Sequence, residues 1–397
     1  MDQSEKMLEL GRKSSVIREI FEYSKRRKAE IGADRVFDFS IGNPSVPAPD
    51  QIKETMLRLL TREDPVLRHG YTAAAGDPGV RQKLADAINR EFDAGVRGDL
   101  IYMTCGAAAS LTISLNAVLE PGDEVIVFAP FFPEYRVFVE HAGGRLISVP
   151  CREPDFQIDF EALEQAVTPR TKAVIINSPN NPTGVIVPRA DLIRLAALLS
   201  EKEKAYEHKL YLIADEPYRK LVWNGETVPF VPQYYADTLV CYSFSKAASL
   251  PGERIGYILV APGMQGAQDV YAALCGAGRA LGFVCAPSLL QFTIGACLDE
   301  TADFSVYREN RALLLRELTR IGYSVVPPDG AFYLFMKALE PDANSFCARA
   351  KKYELLLVPS DDFGCPGYVR IAYCVKTEQI QNAIAAFEKL YEDYKGN

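Results

Sequence analysis

The sequence is poor in the residue types on which several kinds of functional site depend. Only three of its 397 residues are histidine and one is tryptophan, and no histidine lies beside a group of cysteines. The nine cysteines are scattered from Cys105 to Cys374 without a C-x-x-C pair. Zinc sites draw on clustered histidine and cysteine, so no metal site is expected. An odd, irregular set of cysteines indicates reduced thiols rather than a disulfide framework.

Long runs of apolar residues and long runs of basic residues are also missing. No apolar run approaches the roughly 18 residues that a membrane span needs. The net charge is −8 and no long basic run occurs, which disfavours nucleic acid or an anionic membrane surface as a partner. The N-terminal MDQSEKMLELGRKSS has no apolar core, so it does not resemble a secretion signal. We therefore expect a cytoplasmic globular protein, and its length fits two compact domains.

What is present is a repeated alternation of short apolar runs and helix-like stretches. Residues 1–30 have helical spacing of apolar positions, and residues 37–50 are predicted to be extended or looped. From about residue 100 the apolar runs predict an α/β fold with a mostly parallel sheet flanked by helices. These runs are 124–130, 172–179, 209–217, 238–246 and 254–262. From about residue 290, a helix over 306–318 and strands over 331–338 and 368–374 indicate a smaller α+β domain.

Unusual polar residues follow several of these strands, at the edge where α/β sheets bind ligands. Lys246 ends such a run among small residues, where poor hydration would make its amine a nucleophile for a carbonyl. Asp215 ends another, where a partly buried carboxylate needs a cationic partner such as a pyridinium nitrogen. The alternatives are a surface lysine and a helix N-cap aspartate.

Other candidates are weaker when each is taken alone. Gly106, Ala107 and Ala108 precede a helical stretch, whose N-terminal amides could bind a phosphate that Ser243 and Arg254 also reach. Close helix packing is the alternative. Two further candidates are Phe132, which could stack on a flat cofactor or pack in the core, and Arg370, which could bind a substrate carboxylate or a structural acid.

Together these segments match one family. SPNNPTG (178–184), ADEPY (214–218), SFSK…PGERIGY (243–257) and YVRIAY (368–373) resemble, in order and spacing, the class I/II aminotransferases of pyridoxal-phosphate fold type I. The resemblance extends from IGNP (41–44) to YVRIAY, which is nearly the whole chain. It implies a large cofactor-binding domain over 46–285 and a small domain over 286–397, which the segment 1–45 joins.

The resemblance implies a pyridoxal 5'-phosphate cofactor bound to Lys246 as a Schiff base, with the same lysine moving the substrate's α-proton. Asp215 matches the partner of the pyridine nitrogen, and Asn181 and Tyr218 match the groups that bind the phenolic oxygen. Phe132 matches the stacking ring, with Phe131 as a neighbouring candidate. The implied phosphate cup consists of Ala107, Ala108, Ser243 and Arg254.

The implied substrates are an L-amino acid and a 2-oxo acid, which react by a ping-pong mechanism. Arg370, helped by Asn181 and the backbone at Gly42, matches the clamp for the α-carboxylate. Tyr71 matches a tyrosine that reaches the phosphate of the neighbouring subunit, so a homodimer with shared sites is expected.

One position departs from the aspartate-type members of the family. Ala108 stands where some of them carry a lysine for a second carboxylate, and Arg279 is another possible partner for such a group. Two alternatives to an aminotransferase remain. A C–S lyase on the same scaffold would use the same lysine. A non-enzymatic sensor is disfavoured, because the 40 residues before Ile41 are not markedly basic.

Overall fold

A computed structural model describes residues 4–12, 16–62, 64–223 and 225–396. The α-helices of this part of the chain, numbered α1 to α15, are Glu5–Arg12, Val16–Ile31, Asp50–Arg62, Pro65–His69, Pro78–Phe92, Ala107–Val118, Glu134–His141, Phe160–Ala166, Arg189–Tyr206, Phe244–Ala247, Ala267–Ala280, Ser288–Gly295, Ser305–Ile321, Ala343–Ala350 and Thr377–Lys395. Short 3₁₀ helices span Ala33–Arg35, Gly98–Leu100, Val231–Gln233, Lys351–Tyr353 and Asp361–Phe363.

The strands of the described residues are numbered β1 to β14. They are Phe37–Asp38, Ile101–Thr104, Glu124–Ala129, Arg145–Arg152, Gln157–Ile158, Thr171–Asn177, Tyr211–Asp215, Thr238–Ser243, Gly256–Val260, Val325–Val326, Tyr333–Lys337, Leu355–Leu356, Val358–Pro359 and Tyr368–Ala372.

The large sheet has the order β2-β9-β8-β7-β6-β3-β4-β5. Strands β8, β7, β6, β3 and β4 run parallel, whereas β9 is antiparallel to both β8 and β2. A hydrophobic core lies on each face of this sheet, and successive residues of a strand point to opposite faces. Ile126 and Leu212 pack in one core, and Val127 and Ile213 pack in the other. A parallel sheet covered by helices on both faces produces this burial, and it explains why the strands read as continuous apolar runs.

A second, smaller sheet has the antiparallel order β10-β11-β14-β13. Its core combines Leu334 and Ile371 of the sheet with Phe387 of α15 and with Phe39, which follows β1. Strand β1 pairs in parallel with β12, so the N-terminal segment is tied to the C-terminal part of the chain.

The α/β fold class predicted from the sequence is confirmed, with strands a few residues shorter than the apolar runs. Helices α1 and α2 lie in the predicted N-terminal helical region, of which residues 1–3 and 13–15 lie outside the described residues. The domain boundaries near residues 45 and 285 stay a prediction. Among the described helices, none is both long and apolar enough to cross a membrane.

Candidate active site

A cavity of about 360 Å³ opens at the edge of the large sheet where its parallel strands end. Asn177, Asp215 and Ser243 are the last residues of β6, β7 and β8, and the three strands are neighbours in the sheet. Parallel strands end at the same edge, so segments far apart in sequence deliver polar side chains to one place. The cavity is lined by Ile17, Ile41, Gly42, Ala107, Ala108, Leu111, Phe132, Asn177, Asn181, Asp215, Pro217, Tyr218, Ser243, Ser245, Lys246, Pro251, Arg254, Tyr333 and Arg370.

One end of the cavity is built to attract an anion. Strand β2 ends at this edge, and α6 then begins after Gly106, which has a φ of +91°. Because β9 runs antiparallel to β8, Arg254 enters at the same edge just before β9 begins. Its Nη1 donates to Ser245 Oγ at 3.2 Å, and Ser243 Oγ donates to the same oxygen at 2.8 Å. A guanidinium, two hydroxyls and a helix N-terminus thus converge, which suits a phosphate.

The floor of the cavity holds a buried carboxyl group. Asp215 is 5% exposed, and its Oδ2 accepts a hydrogen bond of 2.5 Å from the Tyr135 hydroxyl. Asn177 Nδ2 donates to the backbone carbonyl of Asp215 at 2.8 Å. Burial raises the pKa of Asp215 to about 7, against the lowering effect of the Tyr135 hydrogen bond. The carboxyl group is therefore poised to ionise when a cation approaches it.

Lys246 lies on the short helix α10, directly after β8. Its Nζ donates to the Gly42 carbonyl at 2.7 Å and lies 5.3 Å from the centre of the Phe332 ring. Burial lowers the pKa of Lys246 to about 8, and the charges of Arg370 and Arg254 act in the same direction. About a tenth of this amine is therefore neutral, and so nucleophilic, at pH 7, whereas an ordinary lysine is almost entirely protonated there.

Arg370 reaches the cavity from β14 of the small sheet. It is 2% exposed; its Nη1 donates to Asn181 Oδ1 at 3.1 Å and its Nη2 to the Ser40 carbonyl at 2.5 Å. The guanidinium also lies 4.7 Å from the Tyr333 ring centre. Tyr333 shares a 3.0 Å hydrogen bond with Tyr218, which connects the two sheets across the site.

An aromatic contact holds the small sheet against the large one close to Arg370. Phe156, with a φ of +51°, packs edge-on against Phe335 and Tyr368 at centroid distances of 5.3 Å each. Phe335 is the cross-strand partner of Arg370, and Tyr368 lies two residues before it. Cross-strand partners and i, i+2 neighbours share one face of a sheet. Phe156 and the hydrogen bond from Tyr368 Oη to Glu153 Oε2, at 2.7 Å, therefore pack against the face of the small sheet that carries the arginine.

The structure brings most of the predicted site residues together. Those that line the cavity are Gly42, Ala107, Ala108, Phe132, Asn181, Asp215, Tyr218, Ser243, Lys246, Arg254 and Arg370. Gly106 stands just behind them as the residue before α6. Of the two neighbouring rings, Phe132 faces the cavity, whereas Phe131 is buried beside Gly364. Tyr71 is 98% exposed and lies outside the cavity of its own chain.

Several residues that the sequence interpretation did not assign belong to the site. Ser245 lies inside the SFSK motif, and its position between Ser243 and Arg254 was a usable signal. Tyr135 ends the FAPFFPEY segment, but its partner Asp215 is 80 residues away and no local pattern pairs them. Ile17 of α2 also lines the cavity, without any signal in the sequence.

The chain is similar to known proteins over almost its whole length. A family model described as aminotransferase class I and II matches residues 34–387. The aspartate/prephenate aminotransferase of Thermus thermophilus is 33% identical over 362 residues, covering 88% of this chain and 89% of the relative.

Solved structures give the same result. An amino transferase from Eubacterium rectale has a TM-score of 0.98 and 52% identity, with 99% of each chain covered. The aspartate aminotransferase from Thermus thermophilus with maleate has a TM-score of 0.85 and 29% identity, with 98% of this chain and 100% of that chain covered. The fold is therefore fold type I, and this chain belongs to the class I and II aminotransferase family.

Proposed function

We propose that this aminotransferase works with pyridoxal 5'-phosphate held covalently by Lys246, as a homodimer with shared active sites. Its substrates are amino acids and 2-oxo acids, as in the family to which it belongs. The observation that carries the proposal is the meeting of a lysine of lowered pKa, a buried carboxyl group and an anion-binding end in one cavity.

The residues present fit this cofactor. Within the described part of the chain, no group hydrogen-bonds Asp215 Oδ1, although the atom is buried. A buried carboxylate oxygen needs a donor, and a protonated ring nitrogen is one. At the other end, a Cβ on Gly106 would lie 2.8 Å from Arg254 Nη2, so the glycine keeps the cradle open. When bound, pyridoxal phosphate supplies a ring that accepts the electrons left on the amino acid's Cα after its proton is removed.

The side chains divide the remaining work. Asp215, once ionised, keeps a proton on the ring nitrogen. Lys246 would hold the cofactor until the amino group of the substrate displaces it, and its freed neutral amine would then remove the proton from Cα. Arg370 holds the α-carboxylate; its buried Nε has no partner among the described residues and can donate to that group. Phe132 is assigned to stacking, and Tyr218 and Asn181 to the phenolic oxygen.

The homodimer is supported by Tyr71. Its ring is 98% exposed, which is unusual for a large aromatic side chain. Val284 and Val66 are exposed as well, and Cys285 N donates to the Ala74 carbonyl at 3.1 Å, which ties the segment near Val284 to the one that follows Tyr71. A two-fold interface would let each subunit give one tyrosine and receive one.

Borohydride reduction and peptide mapping test the covalent attachment. We expect yellow protein, a label on Lys246, and loss of both label and turnover in Lys246→Ala, whereas the exposed helix residue Lys204, changed to alanine, serves as the matched control. A label on another lysine would contradict the assignment. Release of ammonia and pyruvate from a β-substituted amino acid, without transfer to an oxo acid, would favour the lyase alternative.

Mixed dimers test the sharing of sites. If Lys246→Ala and an impaired Tyr71→Ala variant are refolded together, both defects fall in one site of each mixed dimer and the other site is intact, so activity returns. If Tyr71 serves its own subunit, every site keeps one defect and mixing restores nothing. A monomer in sedimentation at micromolar concentration would also refute the dimer.

The amino donor and the cellular location remain to be tested. The Thermus thermophilus relatives are named for aspartate, so aspartate is one of the amino donors against which this chain is to be tested. The cytoplasmic location stays a prediction that fractionation of the native cells would test.

A further inference from the structure

The cavity contains few charged groups, and the proposed function uses all of them. Among the described residues that line it, the basic ones are Lys246, Arg254 and Arg370, and the acidic one is Asp215. Lys246 and Asp215 bind the cofactor, Arg254 binds its phosphate, and Arg370 binds one α-carboxylate. No cation of this lining then remains for a second carboxylate on the substrate.

The rest of the lining is largely apolar. Ile17, Ile41 and Leu111 come from three separate segments, and Phe132 and Tyr333 add two rings. Leu111 is 2% exposed on α6, one turn after Ala108. A carboxylate brought against such a surface loses its water without gaining a cation, whereas an apolar side chain gains by leaving water.

The sequence suggests Arg279 as a partner for a second carboxylate, but this residue adds no cation to the cavity of its own chain. It is exposed near the end of α11 and does not line the cavity. Ile17 is half-buried on α2, and it packs against a cluster that includes Val358 and Phe363 of the C-terminal part of the chain. Helix α2 thus contributes an apolar side chain to the site.

We propose that this enzyme prefers amino acids with one carboxylate and an apolar side chain over aspartate and glutamate, and that Ile17 contributes to this choice. The inference rests on the proposed function, because the assignment of the three cations follows from it.

The test uses the cofactor-loaded protein in single turnovers, so that no acceptor with its own preference is needed. The change in cofactor absorbance is followed with aspartate, glutamate, leucine, methionine and phenylalanine. We expect the best apolar donor to exceed aspartate by about 100-fold in kcat/KM, a typical discrimination for a pocket of mismatched polarity. Independently of turnover, calorimetry should show that 4-methylpentanoate binds more tightly than maleate.

A matched pair of variants tests the position of Ile17. Ile17→Lys adds a cation at the cavity wall, and Ile17→Met adds length without charge. We expect the lysine to raise aspartate turnover and maleate affinity by about 2- to 5-fold, as a partly exposed ion pair does, and the methionine to raise neither. An equal response of both variants would remove Ile17 from the specificity of the site.

Wild-type preference for aspartate, together with tighter binding of maleate, would overturn the proposal. If that preference were lost in Arg279→Ala, the missing cation would be Arg279. Failure of the underlying function has a different signature: no amino acid would change the cofactor spectrum, and borohydride would not label Lys246.

Discussion

Replacing Asp215 with asparagine should stabilise the cofactor-free protein and inactivate the loaded enzyme. Burial raises the pKa of Asp215 from 3.8 to about 7, which corresponds to about 4 kcal/mol of preference for the protonated carboxyl in the folded state. As the pH rises through 3.8 the unfolded chain releases this proton, while the folded chain keeps it until about pH 7. Stability therefore falls across that window and is constant above it.

Asparagine has nearly the same shape and no proton to lose. The free energy of unfolding of the wild type should fall by about 1.4 kcal/mol for each pH unit from pH 5 up to the folded pKa of about 7, which is about two units. The stability advantage of the variant over the wild type should therefore grow by about 3 kcal/mol between pH 5 and pH 8. Urea unfolding of both cofactor-free proteins at the same concentration measures this difference, and the comparison cancels every other titrating group. The variant's oxygen can still accept from Tyr135, which preserves the 2.5 Å contact.

Catalysis should change in the opposite direction. An amide cannot keep a proton on the ring nitrogen, so kcat should fall by at least about 100-fold, as when one preorganised electrostatic group is lost. A stability difference that does not vary between pH 5 and pH 8 would show that Asp215 is not a desolvated carboxyl group. Near-normal turnover would remove it from the reaction.

Three other perturbations address the lysine, the phosphate cradle and the aromatic contact. The rate at which cofactor-free protein binds pyridoxal phosphate should rise with pH with a midpoint near the pKa of about 8 of Lys246, because the neutral amine attacks; a rate that keeps rising to pH 10 would contradict this. Gly106→Ala should weaken cofactor binding at least about 10-fold, since its Cβ would lie 2.8 Å from Arg254 Nη2, and unchanged affinity in a spectral titration would refute the cradle. Phe156→Ala should cost about 3 kcal/mol of stability and raise the KM for every amino acid more than it lowers kcat, because Arg370 loses its support; Phe156→Leu should restore much of both.

The contact between the two sheets is the reason to expect that the Phe156→Ala variant affects substrate binding. Arg370 is the cross-strand partner of Phe335, and its guanidinium is held by Ser40 and Asn181 from two other segments. A shift of the small sheet would move the guanidinium relative to Lys246 on the large one. Equal losses in kcat and kcat/KM for Phe156→Ala, with KM unchanged, would show that the contact does not position the arginine.

Several parts of the site could be predicted from the sequence alone because they depend on local patterns. The strands that end at Asp215 and Ser243 are mostly apolar up to that last residue, so the end of a buried strand is recognisable without its neighbours. Small residues at the start of α6 indicate a close approach to an anion for the same local reason. Strand direction in an α/β fold then places these ends at one edge.

Tertiary structure alone decided which distant residues complete the site. Tyr135 and Asp215 are 80 residues apart, and Arg370 and Ser40 are 330 apart. Their contacts follow from strand order and from the pairing of β1 with β12, which carries the N-terminal segment to the small sheet. Periodicity records which face of an element is buried, but not what covers that face. For that reason Ile17 could be read from the sequence as a helix residue, and only the packed chain makes it part of the cavity wall.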